Sequence, residues 1–157
     1  MPARITVEDY RYLSELRYRI RHFLRDGDIV ARAAGLEPQQ YLMLLTIRGL
    51  PDGHTATIRT LAERLALKHH STVELVDRLE LHGYVHRNPA PNDRRAVLVT
   101  LLPRGERVLE NVARQRIKEL HSHGHELVRT IKKLLEKSDA TRNRSRTSKT
   151  PGRKAKS

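Results

Sequence analysis

Thr72, Leu75, Val76 and Leu79 recur at i, i+3, i+4 and i+7, the spacing that gathers four side chains on one face of an α-helix. Such a stripe must be buried, so this helix cannot stand alone. A shorter stripe, Leu61, Ala62 and Leu65, precedes it, and only Ala66 and Leu67 lie between the two. A gap that short does not act as a free linker; it fits the tight turn of a helix-turn-helix. The opposite face of the second helix carries His70, Ser71, Glu74 and Arg78, left for water or a partner. Gly83 ends that helix. Tyr84–Arg87 and Ala96–Leu101 then predict two strands. Residues 88–93 (NPAPND), with two prolines, two asparagines and an aspartate, predict the tip of a hairpin between them.

The flanks predict more helix. From Val7 to about Ala34 the apolar residues Tyr10, Leu13, Leu16, Ile20, Phe23 and Leu24 share one side. Gly27 bends or breaks this helix, or is simply tolerated at about 1 kcal/mol relative to Ala. Gly35 sits where a C′ glycine closes a helix. Pro38 suits the first turn of the next, which runs to about Arg48 and is apolar on several sides, as a central core helix would be. Either Thr57 or Thr60 can cap the following helix, and Thr60 with Glu63 fits a capping box. Pro103 opens a last helix reaching about Lys137, roughly 50 Å at 1.5 Å per residue, with a break expected at Gly124. Two long terminal helices around so small a core leave apolar surface that a second chain would cover. The expected fold is mainly α with a small β-hairpin wing: a winged helix-turn-helix flanked by long N- and C-terminal dimerisation helices. Residues 57–102 would be the DNA-reading core, 7–34 and 104–137 the dimerisation helices, and 138–157 a disordered basic tail.

Charge narrows the partner. Thirty-one basic against eighteen acidic residues give +13; seven Arg or Lys and one Asp in 138–157 place +6 in the tail and leave +7 on the body. A basic body favours a polyanion. A polar helix face beside an arginine-tipped hairpin then points to double-stranded DNA. The base-reading candidates are His69, His70 and Ser71, followed by Glu74 and Arg78, with Glu74 either accepting from cytosine N4 or ordering Arg78. At the tip, Asp93 can hydrogen-bond its own loop and aim Arg94 or Arg95. Other chemistries find little support. There is no cysteine, hence no disulfide or thiolate metal site. His121 and His125 are at i, i+4, a zinc-compatible pair, but no HExxH pattern or third ligand accompanies them. Asp77 near His70 is the best remaining acid–base pair, without a nucleophile or a phosphate cradle. No enzyme activity, metal or cofactor is expected, and a metal-dependent enzyme is a remote alternative. No signal segment opens the chain, and the longest apolar run, Tyr41–Ile47, is far below the ~18–20 residues of a membrane span. No membrane partner and a cytoplasmic location are expected.

The segments LAERL, VELVDRLELHGYVHR and NDRRAVLVTLLPRGERVL, with GLEPQQYLMLLTI upstream, resemble the MarR family of winged helix-turn-helix regulators over about residues 7–137. The resemblance implies a sequence-specific DNA-binding transcriptional regulator: a homodimer through its terminal helices, acting as a repressor on a near-palindromic operator and released by a small aromatic ligand. It implies that Asp93 and Arg95 act together at the minor groove. For an effector pocket between the first helix and the core, Tyr10, Leu13, Tyr41 and Met43 are the candidates, residues that equally suit a plain core. This chain departs from the family at Lys68-His69-His70-Ser71, where many members carry Ser/Thr-Pro-Ser-Thr. Lack of cysteine excludes the thiol-oxidation subtype. An architectural, weakly sequence-selective DNA-binding protein is the alternative that the basic tail encourages.

Overall fold

Among the described residues seven elements follow one another: α1 (Val7–Ala33), α2 (Pro38–Arg48), α3 (Ile58–Leu65), α4 (His69–Leu81), β1 (Val85–Ala90), β2 (Asp93–Leu101) and α5 (Pro103–Thr147). This computed structural model describes the backbone of residues 5–147 and the side chains of 5–136. The chain divides into two compact units, residues 25–118 and, among the described residues, 5–24 with 119–147. Both α1 and α5 contribute to each.

The larger unit is built around the stripe on α4. Thr72, Leu75, Val76 and Leu79 are all buried, and Met43 and Leu44 of α2, Leu61 of α3, Val85, Val99 and Val112 complete the core. Burying one such side chain contributes about 1.5–3 kcal/mol, so α2 is the central helix that its all-round apolarity predicts. Local chemistry sets the ends. Gly35 takes φ +83, and Leu36 N–H donates to Ala31 O at 2.9 Å, closing α1. At α2, Pro38 occupies the first turn and Glu37 N–H donates to Gln40 Oε1 at 3.0 Å. At α3 the cap is Thr57, whose Oγ1 accepts from Thr60 N–H at 3.1 Å. The alternative cap at Thr60 with a box to Glu63 does not form; Glu63 pairs with Arg59 at 3.1 Å. The turn to α4 closes through Ala66 at φ 52, a left-handed conformation that costs a non-glycine residue about 1–2 kcal/mol.

Two glycines lie inside helices: the break expected at Gly124 does not form, and at Gly27 the glycine is tolerated, one of the outcomes the sequence left open. α1 runs through Gly27, where the absent Cβ leaves room for the Arg116 guanidinium: a Cβ there would lie 3.2 Å from Arg116 Nε. α5 runs through Gly124 without interruption, and Leu120 Cδ1 occupies the space 2.9 Å from where a Cβ would stand. In the smaller unit, Thr6 and Asp9 cap α1 reciprocally, at 2.7 Å and 3.3 Å, and Arg19 bridges Glu15 at 2.7 Å and Glu126 at 3.4 Å. Many apolar side chains of this unit remain uncovered, among them Tyr10, Leu13, Tyr18, Ile20 and Leu24 of α1 and Leu120, Val128 and Leu135 of α5. Helical backbone continues to Thr147, ten residues past the expected end at Lys137, where composition predicts a disordered tail; residues 148–157 lie outside the described residues.

Candidate nucleic-acid interface

α4 starts after Lys68, which is extended and offers no side-chain cap. The hydroxyl of Thr72 instead donates to Lys68 O at 3.1 Å, turning the one polar member of the stripe inward. This leaves His69 and His70 exposed at the start of the helix, Ser71 half-buried, and Glu74, Asp77 and Arg78 exposed along it. Among the described residues, the side chains of His69, His70, Ser71, Glu74 and Arg78 make no hydrogen bond or ion pair. Glu74 therefore does not order Arg78, although the two are four residues apart. α4 thus offers two imidazoles, a hydroxyl, a carboxylate and a guanidinium, a mixed donor and acceptor set of the kind that reads base edges.

The wing differs from its expected outline. β1 continues through Pro89 to Ala90, and β2 begins at Asp93, so only Pro91 and Asn92 form the tip. Pairing runs in register from Val85↔Leu101 to Pro89↔Val97 and then jumps to Ala90↔Asp93. Arg94, Arg95 and Ala96 consequently bulge from β2 with no partners across the hairpin. The missing N–H of Pro89 fits this position, where the ladder is interrupted. Asp93 Oδ1 accepts from Arg95 N–H at 2.9 Å, shaping the bulge as the sequence suggests, and both arginines are exposed. The base of the wing is held more firmly: Asn88 Nδ2 donates to Thr100 Oγ1 at 2.9 Å, and Val99 N–H donates to Ala56 O at 2.9 Å.

The sequence reading missed Arg87. Its guanidinium donates to Glu80 Oε2 at 2.7 Å, Asp77 Oδ1 at 2.6 Å and Val73 O at 3.3 Å, while its backbone N–H donates to Glu80 Oε1 at 3.0 Å. The backbone N–H, followed by the guanidinium, holds the Glu80 carboxyl below its usual range. Asp77 and Glu80, spaced i, i+3 on α4 ahead of a basic strand, are the only hint of this in the chain. The structure also disposes of Asp77 with His70 as an acid–base pair, since Asp77 is taken by Arg87. Among the described residues no group of three or more His, Asp or Glu side chains is placed to hold a metal ion, and no helix is long and apolar enough to cross a membrane.

The four effector-pocket candidates divide between the two units. Tyr10 and Leu13 are exposed in the smaller unit; Tyr41 and Met43 are buried in the core of the larger. Burial raises the Tyr41 phenol above its ordinary range, against the opposing charge of Arg116. None of the four lines the cleft of about 520 Å³ between the first turn of α2 and α4, bounded by Glu37, Gln40, Leu75, Arg78 and His82.

A helix-turn-helix with a bulged, arginine-bearing wing is now in place, and the MarR family profile matches residues 34–96, from the end of α1 through the wing tip. Over this stretch the chain is similar to the MarR family. The chain is 28% identical over 116 residues to the HTH-type transcriptional regulator YsmB of Bacillus subtilis (strain 168), covering 71% of this chain and 77% of that one. Transcriptional regulator Tm0710 from Thermotoga maritima superposes with a TM-score of 0.59 at 26% identity, over 90% of this chain and 99% of its own. MarR of E. coli in its apo form gives 0.60 at 25% identity, over 87% and 98%. The chain is accordingly a DNA-binding transcriptional regulator with a winged-helix fold, not an enzyme.

Proposed function

We propose that this regulator binds a near-palindromic operator in the cytoplasm as a homodimeric repressor, and that a small aromatic ligand releases it. The observation that carries the reading is the outward face of α4: five polar side chains without partners, beside a wing whose Asp93 shapes the loop bearing Arg95. In this arrangement α4 enters the major groove and the wing lies over the adjacent minor groove, with half-sites about one turn apart. A MepR mutant of S. aureus, 18% identical to this chain, has been solved bound to an oligodeoxyribonucleotide. CouR of Rhodococcus jostii, 22% identical, was solved with p-coumaroyl-CoA; both support the reading by analogy of fold. The effector, with Tyr10, Leu13, Tyr41 and Met43 as its candidate contacts, rests on the family resemblance.

Selection from a random duplex pool tests the core of this proposal. The wild-type chain should return a two-fold symmetric motif, and a panel of small aromatic acids should contain a compound that releases it. His70→Ala or Ser71→Ala should change the relative affinity for bases at a contacted position by about 1–3 kcal/mol. Unchanged motifs and unchanged relative affinities for both variants would remove α4 as the reader.

The dimer has its own measurement. The uncovered side chains of α1 and α5 in the smaller unit supply an apolar face of the kind obligate homodimers bury, commonly ~2,000 Å² or more. Light scattering at micromolar concentration should give twice the 18.1 kDa chain mass. A monomer that still binds the selected duplex tightly would sink the two-fold arrangement.

A further inference from the structure

A carboxylate on a helix that reads DNA either meets a base donor such as cytosine N4 or faces phosphate unfavourably, and α4 carries Glu74, Asp77 and Glu80. Asp77 is the instructive one. It lies seven residues after His70, and two helical turns bring it back to within about 20° of the same direction. Its side chain is 58% exposed, so it stands on the outward face that the proposed function assigns to the duplex. A bare carboxylate there would repel phosphate across a short, partly desolvated gap.

It is not bare. Arg87, three-quarters covered by protein (23% exposed), reaches over the flank of α4 from β1 and places Nη2 2.6 Å from Asp77 Oδ1. The same Nη2 donates to Val73 O at 3.3 Å, and Nη1 is held by Glu80 Oε2 at 2.7 Å. The guanidinium is therefore fixed by three acceptors on one helix, not free to sweep away when DNA arrives. Only an arginine can do this: its planar fork serves separate acceptors at once, which the single ammonium of lysine cannot match. Glu80 and Asp77 also depend on it unequally. Glu80 keeps the backbone N–H of Arg87 at 3.0 Å whatever side chain stands at 87. For Asp77, the guanidinium is its one hydrogen-bond and ionic partner among the described residues.

We infer that Arg87 is a positioning residue for DNA binding which acts by masking Asp77, cancelling a carboxylate on the reading face of α4 that would otherwise repel the duplex. The inference rests on the assignment of α4 as the groove helix. It makes Arg87 necessary to the interface without requiring Arg87 itself to touch DNA, and explains how an acidic residue is tolerated there.

A double-mutant cycle measures the masking directly, because coupling between neighbours appears as non-additivity. Affinity for the duplex selected by the wild-type protein is measured for wild type, Arg87→Ala, Asp77→Asn and the double variant at low and moderate salt. Asp77→Asn in the wild-type background should change affinity by less than about twofold, since the carboxylate it removes is already held by the Arg87 guanidinium. Arg87→Ala should weaken binding about tenfold or more, and adding Asp77→Asn to it should recover about fivefold or more. Both effects should shrink as salt rises, as exposed charge effects do. Arg87→Lys should fall between wild type and Arg87→Ala. Thermal melting of each variant separates these effects from loss of fold, and the lysine variant keeps the test open if alanine at 87 melts too low. If Asp77→Asn acts by the same factor in both backgrounds, masking is overturned while α4 keeps its assignment. If no variant changes affinity in any combination, α4 does not face the duplex and the inference falls together with that assignment.

Discussion

Gly105→Ala should cost about 3 kcal/mol of stability or more, the largest effect expected of any single methyl group in this regulator. A Cβ at position 105 would lie 2.1 Å from Tyr84 O and 3.0 Å from Tyr84 C. Both are backbone atoms, so no rotamer change relieves the overlap. Tyr84 O also accepts from Leu102 N–H at 2.9 Å, which ties the start of α5 to the residue just before β1. Overpacking a core ordinarily costs about 1–3 kcal/mol by displacing side chains; here the first turn of α5 must back away from the wing. At about 2–4 °C per kcal/mol for a chain of this size, the melting temperature should fall by about 10 °C. A variant melting within about 2 °C of wild type would show that α5 can retreat freely. DNA affinity should fall as well, since β1 carries Arg87 and leads to the wing tip.

Arg95→Ala should weaken operator binding by about 1–3 kcal/mol, while Asp93→Ala should weaken it less. The bulge is the reason for the difference. Asp93 receives the Arg95 N–H at 2.9 Å and so shapes the backbone from which Arg95 projects, but it supplies no cation. An arginine presented at fixed depth suits a narrow minor groove, where the potential is most negative. The cations of the last ten residues have a separate test. Residues 148–157 carry four Lys or Arg by sequence, and removing them should weaken operator and random duplex alike. For every phosphate that is no longer neutralised, the log–log salt slope should fall by about 0.9. Titrations of these variants against both duplexes, across a range of salt, distinguish the roles. Operator preference that survives the deletion and shrinks with Arg95→Ala supports a sequence-specific regulator. If the deletion abolishes all binding and Arg95→Ala changes nothing, an architectural DNA-binding protein is the better description.

Helix positions were legible because burial has a period. The i, i+3, i+4, i+7 stripe of α4 and the Gly35 and Pro38 signals mark boundaries that local sterics enforce, and α1, α2 and α4 lie where those signals put them. The wing was less legible. Its two prolines and two asparagines read as a long tip, whereas Pro89 is accommodated in β1 beside a register shift that depends on the whole hairpin. Thr57 and Thr60 were equally good caps on paper; the bridge of Thr57 to Leu98 on β2 is a tertiary fact that only the folded chain supplies. Arg87 was invisible for the same reason. Its partners lie seven, ten and fourteen residues away on another element, and no local spacing rule pairs a strand arginine with helix carboxylates. Outward residues such as His70 and Ser71 were found because excluding the buried stripe leaves them over.

The seat of Arg116 beneath α1 has a consequence for how chains of this kind can vary. Arg116 is 8% exposed, and its guanidinium packs so closely on Gly27 that a Cβ there would sit 3.2 Å from Nε. A methyl group at 27 obliges the guanidinium to shift by a few tenths of an ångström; a shorter residue at 116 leaves an unfilled notch beside the glycine. Neither change is comfortable alone, and each removes the objection to the other. Positions 27 and 116, eighty-nine residues apart in the chain, should therefore drift as a pair, with alanine or larger at 27 accompanied by a shorter, uncharged side chain at 116.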